Sequence, residues 1–244
     1  GTTWVNAMYS YKDQGTQVAH DNAYTIGSDM AACRFNTDFA PVADVWTNPN
    51  NTVIGDRAYS DDYDQAAELV AAAVRGFHDA GMICSVKHFP GHGDTDTDTH
   101  TGGAVVNKTV DELMAGELKP FISGIEAGAD MVMIGHMTVT ALDSEHPASL
   151  SREVVTGLLR EQLGYDGVVI TDSLDMGALS AWTEGERCVL ALEAGVDILL
   201  GVSDIPGAVA AIAAAVESGR LSEADIDTSV LRVLELKMQY LGEF

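Results

Sequence analysis

Met82-Ile83-Cys84-Ser85-Val86-Lys87-His88-Phe89-Pro90-Gly91-His92-Gly93-Asp94-Thr95-Asp96-Thr97-Asp98-Thr99-His100 holds the strongest signal in the chain. It opens as a short, mostly apolar run of the kind that makes a buried strand. It then passes directly into a glycine-containing loop that carries one lysine, three histidines and three aspartates. A loop that only has to turn needs turn-forming residues, not this density of titratable groups. Polar residues gathered where a strand ends are what a catalytic site on a rigid scaffold requires.

Working outward, four more short apolar runs are spaced along the chain, at 37–45, 130–137, 167–172 and 196–201. Amphipathic segments separate them. Ala66, Leu69, Val70, Ala73, Val74 and Phe77 share one helical face that ends before Gly81. Thr109 and Glu112 form a capping box for a helix that leaves at Gly128. Further helices are predicted from Ser151 to Leu163, from Glu184 to Ala194, over 208–216, and from Ser222 through Leu234 to Leu241.

Alternating strands and helices imply a parallel sheet, closed as a barrel or open and doubly wound. Four of the five strands end in Asp44, Lys87-His88, His136 and Asp172. Chemistry at the C-terminal ends of several strands is the barrel arrangement, whereas an open sheet gathers it at one switch point. No dinucleotide fingerprint and no phosphate loop follows any strand. The expected fold is therefore an α/β (β/α)8 TIM-type barrel, residues 1–244 forming a single domain. Only five strands are visible, and the residues before Thr37 read as loop and helix, so the first two strands are expected to be lacking.

The length, 244 residues, suits one such barrel, and an apolar fraction of 46% supplies a sizeable core. A formal charge of −24 argues against nucleic acid as partner. Cys33, Cys84 and Cys188 are scattered and odd in number, and Cys84 and Cys188 read as buried thiols. No apolar stretch approaches the ~20 residues of a membrane span. The chain begins at Gly1 without a methionine, which is compatible with removal of an upstream leader.

Each candidate residue reads in two ways. Asp172, at a strand tip, can act as nucleophile or base, or it can cap the following segment, for which Asp175 is the more natural cap. Asp98 and His100, two apart in an extended loop, can meet as a carboxylate–imidazole pair that moves protons, or merely brace the loop. Lys87 and His88 suit a hydroxyl-rich ligand, or an internal salt bridge with Asp44. Arg57 is either a surface residue or a fork holding substrate oxygens. His88, His92, Asp94 and His100 carry atoms that zinc accepts, yet their spacing matches no helical metal motif. His20, His78 and His146 have no notable context.

Together these residues resemble glycoside hydrolase family 3, in its β-N-acetylglucosaminidase branch. The resemblance rests on Asn36-Thr37-Asp38-Phe39-Ala40-Pro41-Val42-Ala43-Asp44-Val45, Ile54-Gly55-Asp56-Arg57, the 87–100 motif, the segment 168–176 and the tail from Gly219-Arg220-Leu221-Ser222 onward. It implies a retaining glycosidase that releases terminal non-reducing β-linked N-acetylglucosamine, including that of peptidoglycan turnover fragments. Asp172 would be the nucleophile, and His100 paired with Asp98 the acid/base, in place of the usual second carboxylate. Arg57, Lys87 and His88 would bind the sugar, with His136 near the pocket. No metal or organic cofactor is expected, and the carbohydrate is the partner. A neutral histidine base also suits phosphorolysis, a glucosidase of the same family is a further alternative, and a silent carbohydrate-binding fragment is the rival from another class. The family barrel begins upstream of Gly1, so the resemblance leaves three explanations: a chain shortened at its N-terminus, a separate N-terminal fragment, or a partner such as a second copy that completes the sheet. The branch occurs both in bacterial cytoplasm and in secreted or surface-anchored forms.

Overall fold

A computed structural model of the chain describes residues 2–95 and 103–242. The elements in chain order are α1 (Thr16–Ala32), β1 (Thr37–Asp38), α2 (Tyr63–Asp79), β2 (Ile83–Phe89), β3 (Val105–Val106), α3 (Val110–Ala115) and α4 (Leu118–Glu126). They continue with β4 (Met131–Ile134), β5 (Thr138–Val139), a π-helix (Glu153–Gln162), β6 (Val168–Thr171), α5 (Glu184–Ala194), α6 (Ile205–Glu217) and α7 (Glu223–Leu241). Two compact units result, Gly1–Asp96 with Thr109–Met133, and Thr97–Lys108 with Ile134–Phe244.

In the first unit β1, β2 and β4 are neighbours in that order. β1 pairs with β2 in parallel, Thr37 opposite Ile83 and Asp38 opposite Cys84. The ladder continues past β1, with the Ser85 N–H donating to the Ala40 carbonyl and the Ala43 N–H to the Lys87 carbonyl. Pro41 has no N–H to give, so the expected strand over 37–45 is regular only at its start. α2 begins at Asp62, whose side chain accepts the Gln65 N–H, and all six apolar residues read from the sequence are buried. It ends before Gly81, which takes the left-handed conformation the turn needs. α1 packs on α2 closely enough that a Cβ on Gly76 would overlap the His20 carbonyl, so side-chain size there sets the helix spacing.

The helix predicted from Thr109 to Gly128 is two helices. The capping box is present, but the chain breaks at Gly116 (φ −133°, ψ −100°). A Cβ there would stand 3.0 Å from the Tyr63 ring, and the Tyr63 hydroxyl donates to the buried Glu117 carboxylate at 2.8 Å. That tertiary contact, invisible to local periodicity, divides α3 from α4.

In the second unit β3 and β5 form a short parallel pair. The helix predicted from Ser151 winds as a π-helix, its last N–H bond running from Leu163 back five residues to Leu158. The fifth expected strand touches β6 through a single bridge, Ile170 with Ile198. Asp197, with a fully buried side chain, accepts the Val169 N–H at 2.8 Å and pairs with Arg160 at 2.6 Å and Arg232 at 3.1 Å. α5, α6 and α7 start at Thr183, Asp204 and Ser222, each side chain accepting a backbone N–H of the first turn. Val189, Ala215 and Leu221 bind these three helices into one apolar cluster with Leu192, Ile212 and Ile226.

Cys84 and Cys188 are buried and Cys33 is exposed, as read from the sequence for the first two. Among the described residues no strand precedes Thr37, and no helix is long and apolar enough to cross a membrane.

Candidate active site

The loop that follows β2 is held from beneath by one buried carboxylate. Asp44 Oδ2 lies 2.7 Å from His88 Nδ1 and accepts the His88 backbone N–H at 3.0 Å. Its Oδ1 accepts the His92 backbone N–H at 2.6 Å. Burial alone would push the Asp44 carboxyl up, but the two imidazoles and these donors outweigh it and hold the group below its ordinary value. The internal pairing with Asp44 is thus made by His88. Lys87, half-buried beside it, leans electrostatically on Asp38, whose carboxyl is pushed up by burial and drawn back by the Lys87 charge.

His92 is fixed in turn by Thr95, whose hydroxyl lies 2.6 Å from its Nδ1. Asn51, also buried, donates to the His92 carbonyl at 2.7 Å and to the Thr95 carbonyl at 3.1 Å. Its own oxygen accepts the Val53 and Ile54 N–H groups, so it ties the 51–54 turn to the 92–95 loop. Gly93 is required where the 92–95 loop passes Val45, because a Cβ there would overlap the Val45 carbonyl. Arg57, from the same turn region, is exposed and donates to the Val53 carbonyl at 2.9 Å.

Asp94 is exposed and accepts a hydrogen bond from Thr47 at 2.9 Å. The zinc set considered above is therefore not assembled by its described members: among the described residues only His78, Cys84 and Asp130 bring three ligand atoms together. Asp98 and His100 lie outside the described residues.

In the second unit Asp172 follows β6 directly. Its N–H donates to the Ile134 carbonyl at 2.8 Å, and its Oδ1 accepts the Ser173 N–H at 2.8 Å. The carboxylate is half-buried, and among the described residues nothing donates to Oδ2. Asp172 does not cap a helix, and neither does Asp175, contrary to the expectation for it. The next helical turn, Gly177–Leu179, starts at Met176 without a side-chain cap, and Asp175 accepts the Ser173 hydroxyl at 2.7 Å instead. His136 is buried, with Nδ1 2.7 Å from the Ser149 hydroxyl and Nε2 2.9 Å from the Ser173 carbonyl. It therefore fastens the peptide next to Asp172. Arg187 performs a similar task, donating to the Leu174 carbonyl at 2.7 Å.

Sequence reading missed Asp38 and Asn51 as parts of this region. Asp38 sits beside Phe39-Ala40-Pro41 in a strand, and only its neighbour Lys87, 49 positions on, reveals its place. Asn51 reads as an ordinary turn residue.

The family model of the glycosyl hydrolase family 3 N terminal domain matches residues 3–236. Beta-hexosaminidase A of Pseudoalteromonas piscicida is 34% identical over 250 residues, covering 93% of this chain and 42% of its own length. Beta-hexosaminidase LpqI of Mycobacterium tuberculosis (strain ATCC 25618 / H37Rv) is 35% identical over 97% of this chain and 63% of its own. A solved glycoside hydrolase family 3 beta-N-acetylglucosaminidase from Paenibacillus sp. str. FPU-7 matches with a TM-score of 0.95 at 44% identity, over 99% of this chain and 47% of that one. The chain thus spans about half the length of these relatives. Its fold class is the α/β TIM-type barrel that the strand ends imply. With both the sequence match and the fold in agreement, the chain belongs to the glycosyl hydrolase family 3 N-terminal domain family.

Proposed function

We propose that this chain is the catalytic domain of a retaining glycosidase that releases terminal, non-reducing β-linked N-acetylglucosamine, with peptidoglycan turnover fragments as a natural source. The observation that carries the reading is the state of Asp172. A carboxylate at a strand tip, anchored through its own peptide but with one oxygen uncommitted among the described residues, is equipped to attack an anomeric carbon. The names of the relatives supply the substrate class.

In this reading Asp172 forms the glycosyl-enzyme while His100, oriented by Asp98, protonates the leaving oxygen. The same imidazole then deprotonates the incoming water, which is the double displacement with histidine in the acid/base role. Arg57, Lys87 and His88 donate to sugar hydroxyls. His136 acts as a positioning residue, since both its nitrogens are engaged in holding Ser149 and Ser173.

The test is hydrolysis of a chromogenic N-acetyl-β-glucosaminide by the purified chain and by its His100→Ala variant, with the corresponding glucoside as control. The expected outcome is turnover that prefers the N-acetylglucosaminide and falls by about 10²- to 10⁴-fold in the variant. Running the assay with and without inorganic phosphate separates water from phosphate as acceptor. Faster turnover of the glucoside, or full activity without His100, overturns the reading. Sugar binding by a folded but inactive chain would establish the binding fragment in its place.

A further inference from the structure

The start of β2, at the opposite end of the strand from Lys87 and His88, carries a cluster that the proposed glycosidase chemistry does not use. His78 is the penultimate residue of α2, Cys84 the second residue of β2, and Asp130 immediately precedes β4. His78 Nε2 lies 3.0 Å from Asp130 Oδ2 and 3.6 Å from Cys84 Sγ. All three ligand atoms fall within 4.8 Å of one another.

These separations have a specific meaning. In a tetrahedral site with metal–sulfur bonds of about 2.3 Å and metal–nitrogen or metal–oxygen bonds of about 2.0–2.1 Å, ligand atoms stand roughly 3.3–3.6 Å apart. The sulfur–nitrogen spacing already has that value, and the nitrogen–oxygen spacing is short of it by a few tenths of an ångström. The backbone prepares the carboxylate. The Cys84 N–H donates to Asp130 Oδ2 at 2.9 Å, which fixes the carboxylate beside the strand. The His78 ring rests near Gly128, where a Cβ would stand 3.5 Å from its Cε1. Asp130 is buried to 4% side-chain exposure while His78 is 26% exposed, so the cluster has a solid floor and an open side.

We infer that His78, Cys84 and Asp130 form a binding site for a divalent d-block cation of the zinc type, with the fourth position open to solvent on the His78 side. The donor set selects the metal class. One sulfur and one imidazole nitrogen disfavour magnesium and calcium, and a thiolate with a carboxylate balances a doubly charged ion. On binding, the metal–sulfur bond forms as the thiol proton leaves to solvent. The proton of the His78–Asp130 hydrogen bond is released to solvent or taken up at Nδ1, and Nε2 and the carboxylate each bond the ion in place of that hydrogen bond. No redox change is involved. The site would brace the junction of α2, β2 and β4, a structural task suited to the N-terminal ends of strands.

The test is titration of the reduced full chain with Co2+ alone, read by absorption, followed by displacement with Zn2+. The expected result is one equivalent bound, with tetrahedral visible bands and a sulfur-to-cobalt charge-transfer band that Zn2+ abolishes. Cys84→Ser removes the charge-transfer band, and Cys33→Ser, which alters only the exposed cysteine, leaves it. His78→Ala weakens Co2+ binding by at least about tenfold. Saturating Co2+ without a thiolate band, or a band that survives Cys84→Ser, overturns the inference. Should Cys84→Ser fail to fold, unchanged Co2+ affinity in His78→Ala overturns it equally.

Discussion

Two aspartates stand at the two ends of β6, Asp197 reaching it from the neighbouring 196–201 segment and Asp172 following it directly, and they are held in opposite ways. Near the start of β6 Asp197 is fully buried, and two arginines and the Val169 N–H engage both of its oxygens. At the strand's finish Asp172 is half-buried and, among the described residues, its carboxylate accepts a single backbone N–H. A buried carboxylate with both oxygens engaged is a strut. One anchored by its peptide, with an oxygen to spare, can do chemistry. The contrast follows the general division of such strands, with stability at the N-terminal end and reactivity at the C-terminal end. β2 repeats it less cleanly, since Asp44 and Asp130 are both buried partners of an imidazole. A carboxylate–imidazole pair is therefore not a signature of catalysis by itself.

The comparison is sharpest when each of these two aspartates is removed. Asp172→Asn should lower kcat by at least about 10³-fold while leaving the urea midpoint near that of the parent. Equal losses of activity and stability would make Asp172 a second strut. Asp197→Ala should do the reverse, costing about 3–5 kcal/mol of stability. It leaves the Arg160 guanidinium, which burial and the neighbouring Arg232 already disfavour, without its counter-charge. Urea denaturation followed by far-ultraviolet circular dichroism measures it, and a midpoint unchanged from the parent would break the contrast.

Asp44 gives the next effect in size. Asp44→Asn keeps the shape but loses the charge facing His88, and should cost about 2–3 kcal/mol near neutral pH. The pH dependence is more diagnostic. Because the folded-state value of Asp44 lies below the unfolded one, its contribution is complete above the ordinary carboxylate range and is lost as pH falls through the depressed folded value. Denaturant midpoints measured from neutral to acidic pH should therefore drop less steeply in Asp44→Asn than in the parent. Parallel curves would remove Asp44 from the account.

Much of this was legible in the sequence, and the omissions have physical causes. Periodicity located α2, α5, α6 and α7 because their apolar faces and caps are local, with Asp62, Thr183, Asp204 and Ser222 accepting N–H groups three residues on. The strand ends marked Asp44, Lys87, His88, His136 and Asp172 because polar residues there stand out against apolar runs. Long-range contacts left no such trace. The break at Gly116 depends on Tyr63, the Asp197 cluster joins residues up to 37 apart, and His78, Cys84 and Asp130 span 52 positions. His78 looked featureless because its partners are on other elements. Asp175 looked like a cap because its type suits one, but a serine hydroxyl claimed it first.

The central claim is that Asp172 takes the sugar covalently, and trapping tests it most directly. The chain would be incubated with a fluorinated N-acetylglucosaminide whose glycosyl-enzyme turns over slowly, then digested and read by peptide mass spectrometry. The account predicts one sugar adduct, on the peptide bearing Asp172 and absent from Asp172→Asn. An adduct on another carboxylate, or turnover of the parent substrate with no adduct at all, would contradict it.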